Sequence, residues 1–373
     1  MIRRKYLAAA AVVSVLVLVF GVARLPAIEL DRGTIAGAHY AIATPDSEWN
    51  GHVLLLAHGY RSENAPLVAD LQPAHTTYAT LLREGWIIGK TSYRRNGLIV
   101  ADGVSDLVAL RQHIAATYGQ PTRVIVKGDS MGGTIVTLMA EQNITGFDGY
   151  VAIGAALDLR EPGQVAGLSL APQRPFLFIA NRSEFEGPRA YVEAQIHPTP
   201  DRPMAVLFRI NRDGHVNVNQ AERLFAVRSL MTLIERGAPA LPAPSTGDAY
   251  YDATQIPSPG PSQVRVDADN RGLTARVQEI SAIYGNAWLN IQPADLETIG
   301  LKRGTWFQLH VGDSVFRTRY GSDFSSVERG QWVMFPNADG FVWLSRNWAN
   351  AAETADLNVG DEIQIRRYSP TDR

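Results

Sequence analysis

Arg123-Val-Ile-Val-Lys127-Gly128-Asp129-Ser130-Met131-Gly132-Gly133-Thr134, continuing as Ile-Val-Thr-Leu-Met-Ala-Glu141-Gln142, decides the fold. Its first five residues read as a short buried strand, its last nine as a helix. Between them lies G-x-S-x-G. A serine at such a turn is strained, so its neighbours must be small. Gly128 and Gly132 let strand and helix approach without a Cβ clash, and Gly133 eases the helix start. The turn projects the Ser130 hydroxyl above a sheet edge, at a helix N-terminus whose free N–H groups favour developing negative charge. The pentapeptide alone is a weak signal. The strand before it and the helix after it give it weight.

Around this stretch, apolar runs alternate with helix-length segments. The runs are His52 to Ala57 (HVLLLA), Trp86 to Gly89, Tyr150 to Ile153, Pro175 to Ala180 (PFLFIA) and Met204 to Ile210. Segments Ala65 to Glu84, Val104 to Tyr118 and Gly132 to Gln142 read as helices. Near-continuous apolar strands separated by helices imply an α/β domain with a mostly parallel, doubly wound sheet covered on both faces.

A serine hydroxyl needs a base. Of eight histidines, His215 follows the last apolar strand on a glycine-containing loop, and so can reach a serine at the same sheet edge. An acid must orient the imidazole. Glu184, in the loop after PFLFIA, ranks first; Asp158, after the preceding strand, is the alternative, and Glu186 ranks third. Oxyanion donors are expected from the backbone N–H of Met131, after the nucleophile, and of Tyr60, in the loop His58-Gly59-Tyr60. His58 reads as a structural residue of that loop.

Residues from about 50 to 235 resemble the α/β-hydrolase superfamily, on the order Ser130, Glu184, His215 and on the HGY and GDSMGG stretches. The resemblance implies a core sheet of about eight strands with the triad on loops at one edge. Glutamate stands where aspartate is commoner. The short interval from about Ala155 to Arg174 argues against a large lid, so an open site is expected. Arg94 and Arg95 sit on a loop that lies near the active site in that superfamily, where an arginine can meet an anionic group; pairing with local acids is the plainer expectation.

Gly237 to Ser262 holds six of the 21 prolines and almost no charge, an interdomain linker by composition. Beyond it the hydrophobic period becomes two. Trp306 to Val311, Val315 to Tyr320, Gln331 to Phe335, Phe341 to Ser345 and Glu362 to Arg367 read as strands of a small antiparallel β-barrel. The division is therefore 1–27 leader, 28–236 hydrolase domain, 237–262 linker, 263–373 barrel. Hydrolysis is expected to belong wholly to the first domain. Tyr284-Gly285-Asn286, the stretch Arg346-Asn347-Trp348-Ala349-Asn350-Ala351-Ala352 and Val359-Gly360-Asp361 make Val277 to Arg366 similar to the C-terminal domain of the S-adenosylmethionine hydroxide adenosyltransferases. In that family the barrel contacts adenine, which implies a polar pocket lined by Asn286, Arg346 and Asn347; turn capping explains the same residues equally well.

Composition narrows the function. The 373 residues are 46% hydrophobic and 19% charged, which reads as globular, and 37 acids against 35 bases leave a net charge of −2. No single-sign field favours nucleic acid. Cysteine is absent, which removes disulfides, thiolate metal sites and cysteine nucleophiles. No metal motif or phosphate loop is present, so neither metal nor cofactor is expected. Arg3, Arg4 and Lys5 precede an uncharged run from Leu7 to Ala23, a secretory signal or an uncleaved inner-membrane anchor. The expectation is an exported serine hydrolase, periplasmic or secreted, cleaving a small ester. A serine peptidase of the same fold is the alternative. A non-catalytic or adenosine-binding envelope protein, and oligomerisation through the barrel, remain open.

Overall fold

The computed structural model describes residues 29–157, 167–195, 204–237 and 260–368. The N-terminal segment read as signal or anchor, most of the proline-rich linker and Asp158 lie outside the described residues.

The first region is an eight-stranded sheet. Its strands are β1 (Leu30–Ile35), β2 (Ala38–Ala43), β3 (His52–Ala57), β4 (Ile87–Thr91), β5 (Arg123–Asp129), β6 (Gly149–Ile153), β7 (Phe176–Asn181) and β8 (Ala205–Ile210), in the order β1-β2-β4-β3-β5-β6-β7-β8. From β4 to β8 every pairing is parallel; β2 runs antiparallel to β1 and β4. This is the α/β-hydrolase order, with the strand change between β3 and β5 placing the C-terminal end of β5 near the sheet centre. Helices α1 (Thr76–Arg83) and α5 (Gln220–Arg236) cover one face; α2 (Val100–Tyr118), α3 (Met131–Gln142) and α4 (Glu186–Ala194) cover the other. Strand side chains alternate between the two cores, as the pleat requires. Phe176, Phe178 and Ala180 of β7 enter the α2–α3 core, Leu177 and Ile179 the α5 core. Truncating Phe178, which is fully buried, removes about 3–5 kcal/mol.

Two local features differ from the sequence reading. Only Thr76–Arg83 of the segment 65–84 is helical, because Pro66 and Pro73 deny the preceding stretch both backbone donors and helical geometry. The hairpin β1–β2 escaped the reading. Its two-residue turn, Ala36-Gly37, has φ of 48° and 89°, the primed geometry that usually announces itself as Asn-Gly.

The second region comprises β9 (Arg265–Val266), β10 (Gly272–Ile280), β11 (Ala287–Leu289), α6 (Pro293–Thr298), β12 (Trp306–Val311), β13 (Ser314–Tyr320), β14 (Trp332–Pro336), β15 (Val342–Arg346), α7 (Ala351–Ala355) and β16 (Glu362–Arg367). The order β11-β15-β14-β13-β12-β16-β10, with β10 also paired to β11, closes a seven-stranded barrel; β9 adds to β10. One pairing departs from the antiparallel expectation: β13 and β14 are parallel, Thr318 opposite Trp332. Residues 321–331 are long enough to cross over instead of forming a hairpin. In β16 Ile363 and Ile365 are buried while Glu362, Gln364 and Arg366 are exposed, the period-two pattern of a wall wet on one side.

Candidate active site

Ser130 stands between β5 and α3 at φ 57°, ψ −120°, a left-handed conformation that costs a non-glycine residue on the order of 1–3 kcal/mol. Its N–H donates to the Ile153 carbonyl at 2.9 Å. The glycines explain how the turn fits. A Cβ on Gly132 would lie 2.1 Å from the Ala57 oxygen, and one on Gly128 2.0 Å from the Gly132 oxygen. Neither could be relieved without separating β3, β5 and α3.

The base and acid arrive from β8 and β7. His215 Nε2 lies 2.8 Å from Ser130 Oγ, and His215 Nδ1 lies 2.6 Å from Glu184 Oε2. Glu184 ends a single 3₁₀ turn, Arg182–Glu184, immediately after β7. Its other oxygen accepts from the Val216 N–H at 3.2 Å, so the carboxylate grips the histidine loop on both sides of the ring. That loop is stitched to the acid loop. Asn217 N–H donates to Asn181 Oδ1 at 2.8 Å, Ser183 Oγ donates to the Gly214 carbonyl at 2.9 Å, and Arg182 pairs with Asp213 at 2.6 Å. With Nδ1 facing a carboxylate, Nδ1 carries the proton and Nε2 is free to accept one. Burial works to lower the His215 pKa, but the hydrogen bond and charge of Glu184, supported by Asp129 and Asp323, outweigh it and hold the imidazole above its ordinary value.

Asp129 underlies the nucleophile. Its carboxylate pairs with Lys127 at 3.0 Å and with Arg223 of α5 at 3.0 Å. Burial favours its neutral form, yet the two cations win and keep it ionised well below the usual carboxylate range. Burial conversely lowers Lys127, to about 8, against the pull of Asp129.

The residues expected to donate to an oxyanion, Tyr60 and Met131, border the same cavity as Ser130. Met131 opens α3, so its N–H has no carbonyl one turn back. Gly59 lies against the nucleophile: a Cβ there would sit 3.1 Å from Ser130 Cβ. The loop is fixed by His58, whose ring nitrogens lie 2.7 Å from the Gly59 carbonyl and 3.0 Å from the Ser92 carbonyl, the neutral ring donating to one of them, and whose ring centroid lies 4.0 Å from that of Tyr93. Burial, with Arg61 and Lys90 nearby, drives the His58 pKa down to about 3. Its place is that of a loop anchor.

The site does not belong to one domain. Ser130 and His215 border a cavity of about 2140 Å³ whose opposite wall is the barrel: Tyr284, Phe324, Arg329, Trp348, Asn286 and Trp288. Polar contacts join the two regions. Tyr284 Oη donates to the Tyr60 carbonyl at 2.9 Å, and Asn219 Nδ2 to the Ala338 carbonyl at 3.3 Å. Asp339 accepts from the Gln220 backbone where α5 begins. The Tyr60 and Trp348 rings lie 5.6 Å apart. The short interval after β6 does exclude a long insertion there; the cover comes instead from the far end of the chain.

The remaining candidates fall as follows. Glu186 pairs with Arg189 at 2.6 Å. Arg94 pairs with Asp106 and Arg95 with Asp102, each at 2.6 Å. Asn286, Arg346 and Asn347 all border the cavity, but two of them are spent on turns. Arg346 donates to the Gly330 carbonyl at 2.7 Å and Thr354 Oγ1 at 2.7 Å; Asn347 donates to the Val327 carbonyl at 2.8 Å. Sequence reasoning missed Asp129, Tyr284 and Trp348. Lys127-x-Asp129 carried a signal, since residues two apart on a strand share a face. The two barrel aromatics carried none, because their partners lie more than two hundred residues away.

Comparison with known proteins separates the two regions. Residues 277–364 match the family model of the SAM hydroxide adenosyltransferase C-terminal domain. The fluorinase of Nocardia brasiliensis is 30% identical over 96 residues, 25% of this chain and 32% of that protein; the chain thus spans about a third of that relative. A Xanthomonas campestris structure described as an a/b serine hydrolase without lid is 15% identical, covers 59% of this chain and all of that one, and has a TM-score of 0.37. The Pyrococcus furiosus esterase is 16% identical over 56% of this chain and 91% of its own, with a TM-score of 0.39. At these scores the fold assignment rests on strand order alone. The chain therefore joins an α/β-hydrolase fold to a barrel similar to the C-terminal domain of the SAM hydroxide adenosyltransferases.

Proposed function

We propose that the protein is a serine hydrolase that cleaves a carboxylic ester through an acyl-enzyme on Ser130. The observation that carries this reading is the unbroken relay Ser130 Oγ–His215 Nε2 at 2.8 Å and His215 Nδ1–Glu184 at 2.6 Å, built on a strained turn. His215 takes the hydroxyl proton as Ser130 Oγ bonds to the ester carbon. The former carbonyl oxygen, now negative, lies by the Met131 and Tyr60 N–H groups. The tetrahedral species collapses, the C–O bond to the alcohol breaks, and His215 returns the proton to the leaving oxygen. Water, deprotonated by the same nitrogen, repeats the sequence and frees the acid. Glu184 keeps the ring in the Nδ1–H tautomer and stabilises the imidazolium throughout.

The basic, then apolar, N-terminal sequence supports export, with retention at the inner membrane if the segment stays uncleaved. A screen of p-nitrophenyl esters of increasing acyl size, with a fluorophosphonate probe as covalent reporter, tests the activity on wild type and Ser130→Ala. Hydrolysis and labelling lost together in the variant support the reading; a fully active variant overturns it.

A further inference from the structure

Four consecutive residues, His58 to Arg61, form the loop that faces the nucleophile, and three of them are tied down within the hydrolase domain. His58 is held through its ring nitrogens beside the Gly59 and Ser92 carbonyls, Gly59 by the tight space before Ser130 that leaves little room for a Cβ, and Arg61 by the Val68 carbonyl at 2.6 Å and Asp70 at 2.5 Å. Tyr60 is different. Its carbonyl accepts from the barrel's Tyr284, and its ring faces the barrel's Trp348. The residue expected to supply an oxyanion N–H is thus fixed from the other domain.

We propose that Tyr284 is a positioning residue of the Ser130 site: its hydroxyl fixes the peptide after Tyr60 and thereby holds the Tyr60 N–H toward the oxyanion. The inference rests on the hydrolase reading above. Its physical basis is that a carbonyl anchored on one side of Cα restricts the torsions that aim the N–H on the other. A catalytic donor is worth most when its direction is set before charge develops. The Tyr284 hydroxyl is suited to donating. A tyrosine hydroxyl keeps its proton at neutral pH, so it donates to the Tyr60 carbonyl. The tyrosine ring is 43% exposed, so removing its hydroxyl leaves the barrel core intact.

Hydrolysis then depends on the barrel being docked, contrary to the expectation that the first domain suffices. The test is Tyr284→Phe in the full chain, assayed beside wild type and Ser130→Ala with a p-nitrophenyl ester and with a trifluoromethyl ketone that mimics the oxyanion. The expected result is a kcat lower by about tenfold with KM within about twofold. Removing an oxyanion donor outright costs ~10²–10³, and loosening one costs less. Ketone affinity should fall by the same factor as kcat, which lost packing alone would not produce. A wild-type kcat and ketone affinity in Tyr284→Phe, with Ser130→Ala inactive, overturns the positioning role and leaves the hydrolase standing. Full activity in Ser130→Ala, or no turnover and no fluorophosphonate labelling of wild type, overturns both.

Discussion

The hydrolase domain and the barrel solve the same problem, burying a sheet, in opposite ways. The first covers both faces of an open sheet with helices, so its inner strands are largely apolar; β3 and β7 show hardly a polar side chain. The second rolls a sheet on itself and leaves one face wet, so β16 alternates residue by residue. The consequence reaches function. In the open sheet, chemistry gathers at strand ends, where loops from β3, β5, β7 and β8 converge. In the barrel, side chains that meet the site come from turns far apart in sequence: Tyr284 before β11, Phe324 before β14, Trp348 after β15. One region contributes the Ser130–His215–Glu184 set and the other a wall.

That division can be broken by experiment. The largest effect belongs to that set: Ser130→Ala is expected to lower kcat by ~10⁴ or more while circular dichroism stays unchanged. Glu184→Gln comes next, at roughly 10³-fold. It also removes the group that raises His215. Activity needs the neutral imidazole, so the acidic limb of the kcat/KM profile should move to lower pH. A limb that stays in place would remove Glu184 as the partner.

Stability gives an intermediate effect confined to the first region. His58 takes up a proton near pH 6.5 in the unfolded chain and only near 3 in the fold. Its contribution is whole above pH 6.5 and withdraws as pH falls toward 3. At pH 5 about 2 kcal/mol is gone. Hydrogen exchange, corrected for intrinsic rates, should show β3 and β4 losing protection between pH 7 and 5 ahead of β12 and β13. Equal loss in both regions would place the acid sensitivity elsewhere.

The smallest effects test the wall. Trp348→Ala should raise KM for aromatic acyl esters a few-fold, about 1 kcal/mol of lost ring contact, with kcat nearly unchanged; a kcat defect would make Trp348 part of the machinery. Asp323→Asn removes a minor contributor to the raised His215 pKa, so its acidic limb should shift the same way as in Glu184→Gln but by less. No shift would mean the barrel carboxylate is not felt across the cavity.

Legibility in the sequence followed the same line. Ser130, Glu184 and His215 stand in positions recognisable one strand at a time, because each follows an apolar run by a few residues, and the structure brings them within hydrogen-bond reach. The five later barrel strands were legible through their period. Strands β10 and β11, which close it, were not, since Arg276, Glu279 and the three-residue Ala287–Leu289 give too little alternation. Asp158, the rival acid, lies outside the described residues; Glu184 is the carboxylate at His215 Nδ1. The barrel's place over the site was invisible for a simpler reason. It depends on single contacts, Tyr284 to Tyr60 and Asn219 to Ala338, that no periodicity encodes.

The order of these parts along the chain has a temporal meaning. A ribosome delivers Ser130, Glu184 and His215 before it has made any of the strands that face them, and domains fold largely as they emerge. Wherever the chain folds, the first region can bring Ser130, Glu184 and His215 together before the barrel strands that face them are in place. The barrel wall of the cavity is made after the strands that carry these residues, so a chain cut short in the linker would carry Ser130 without the surface that faces it.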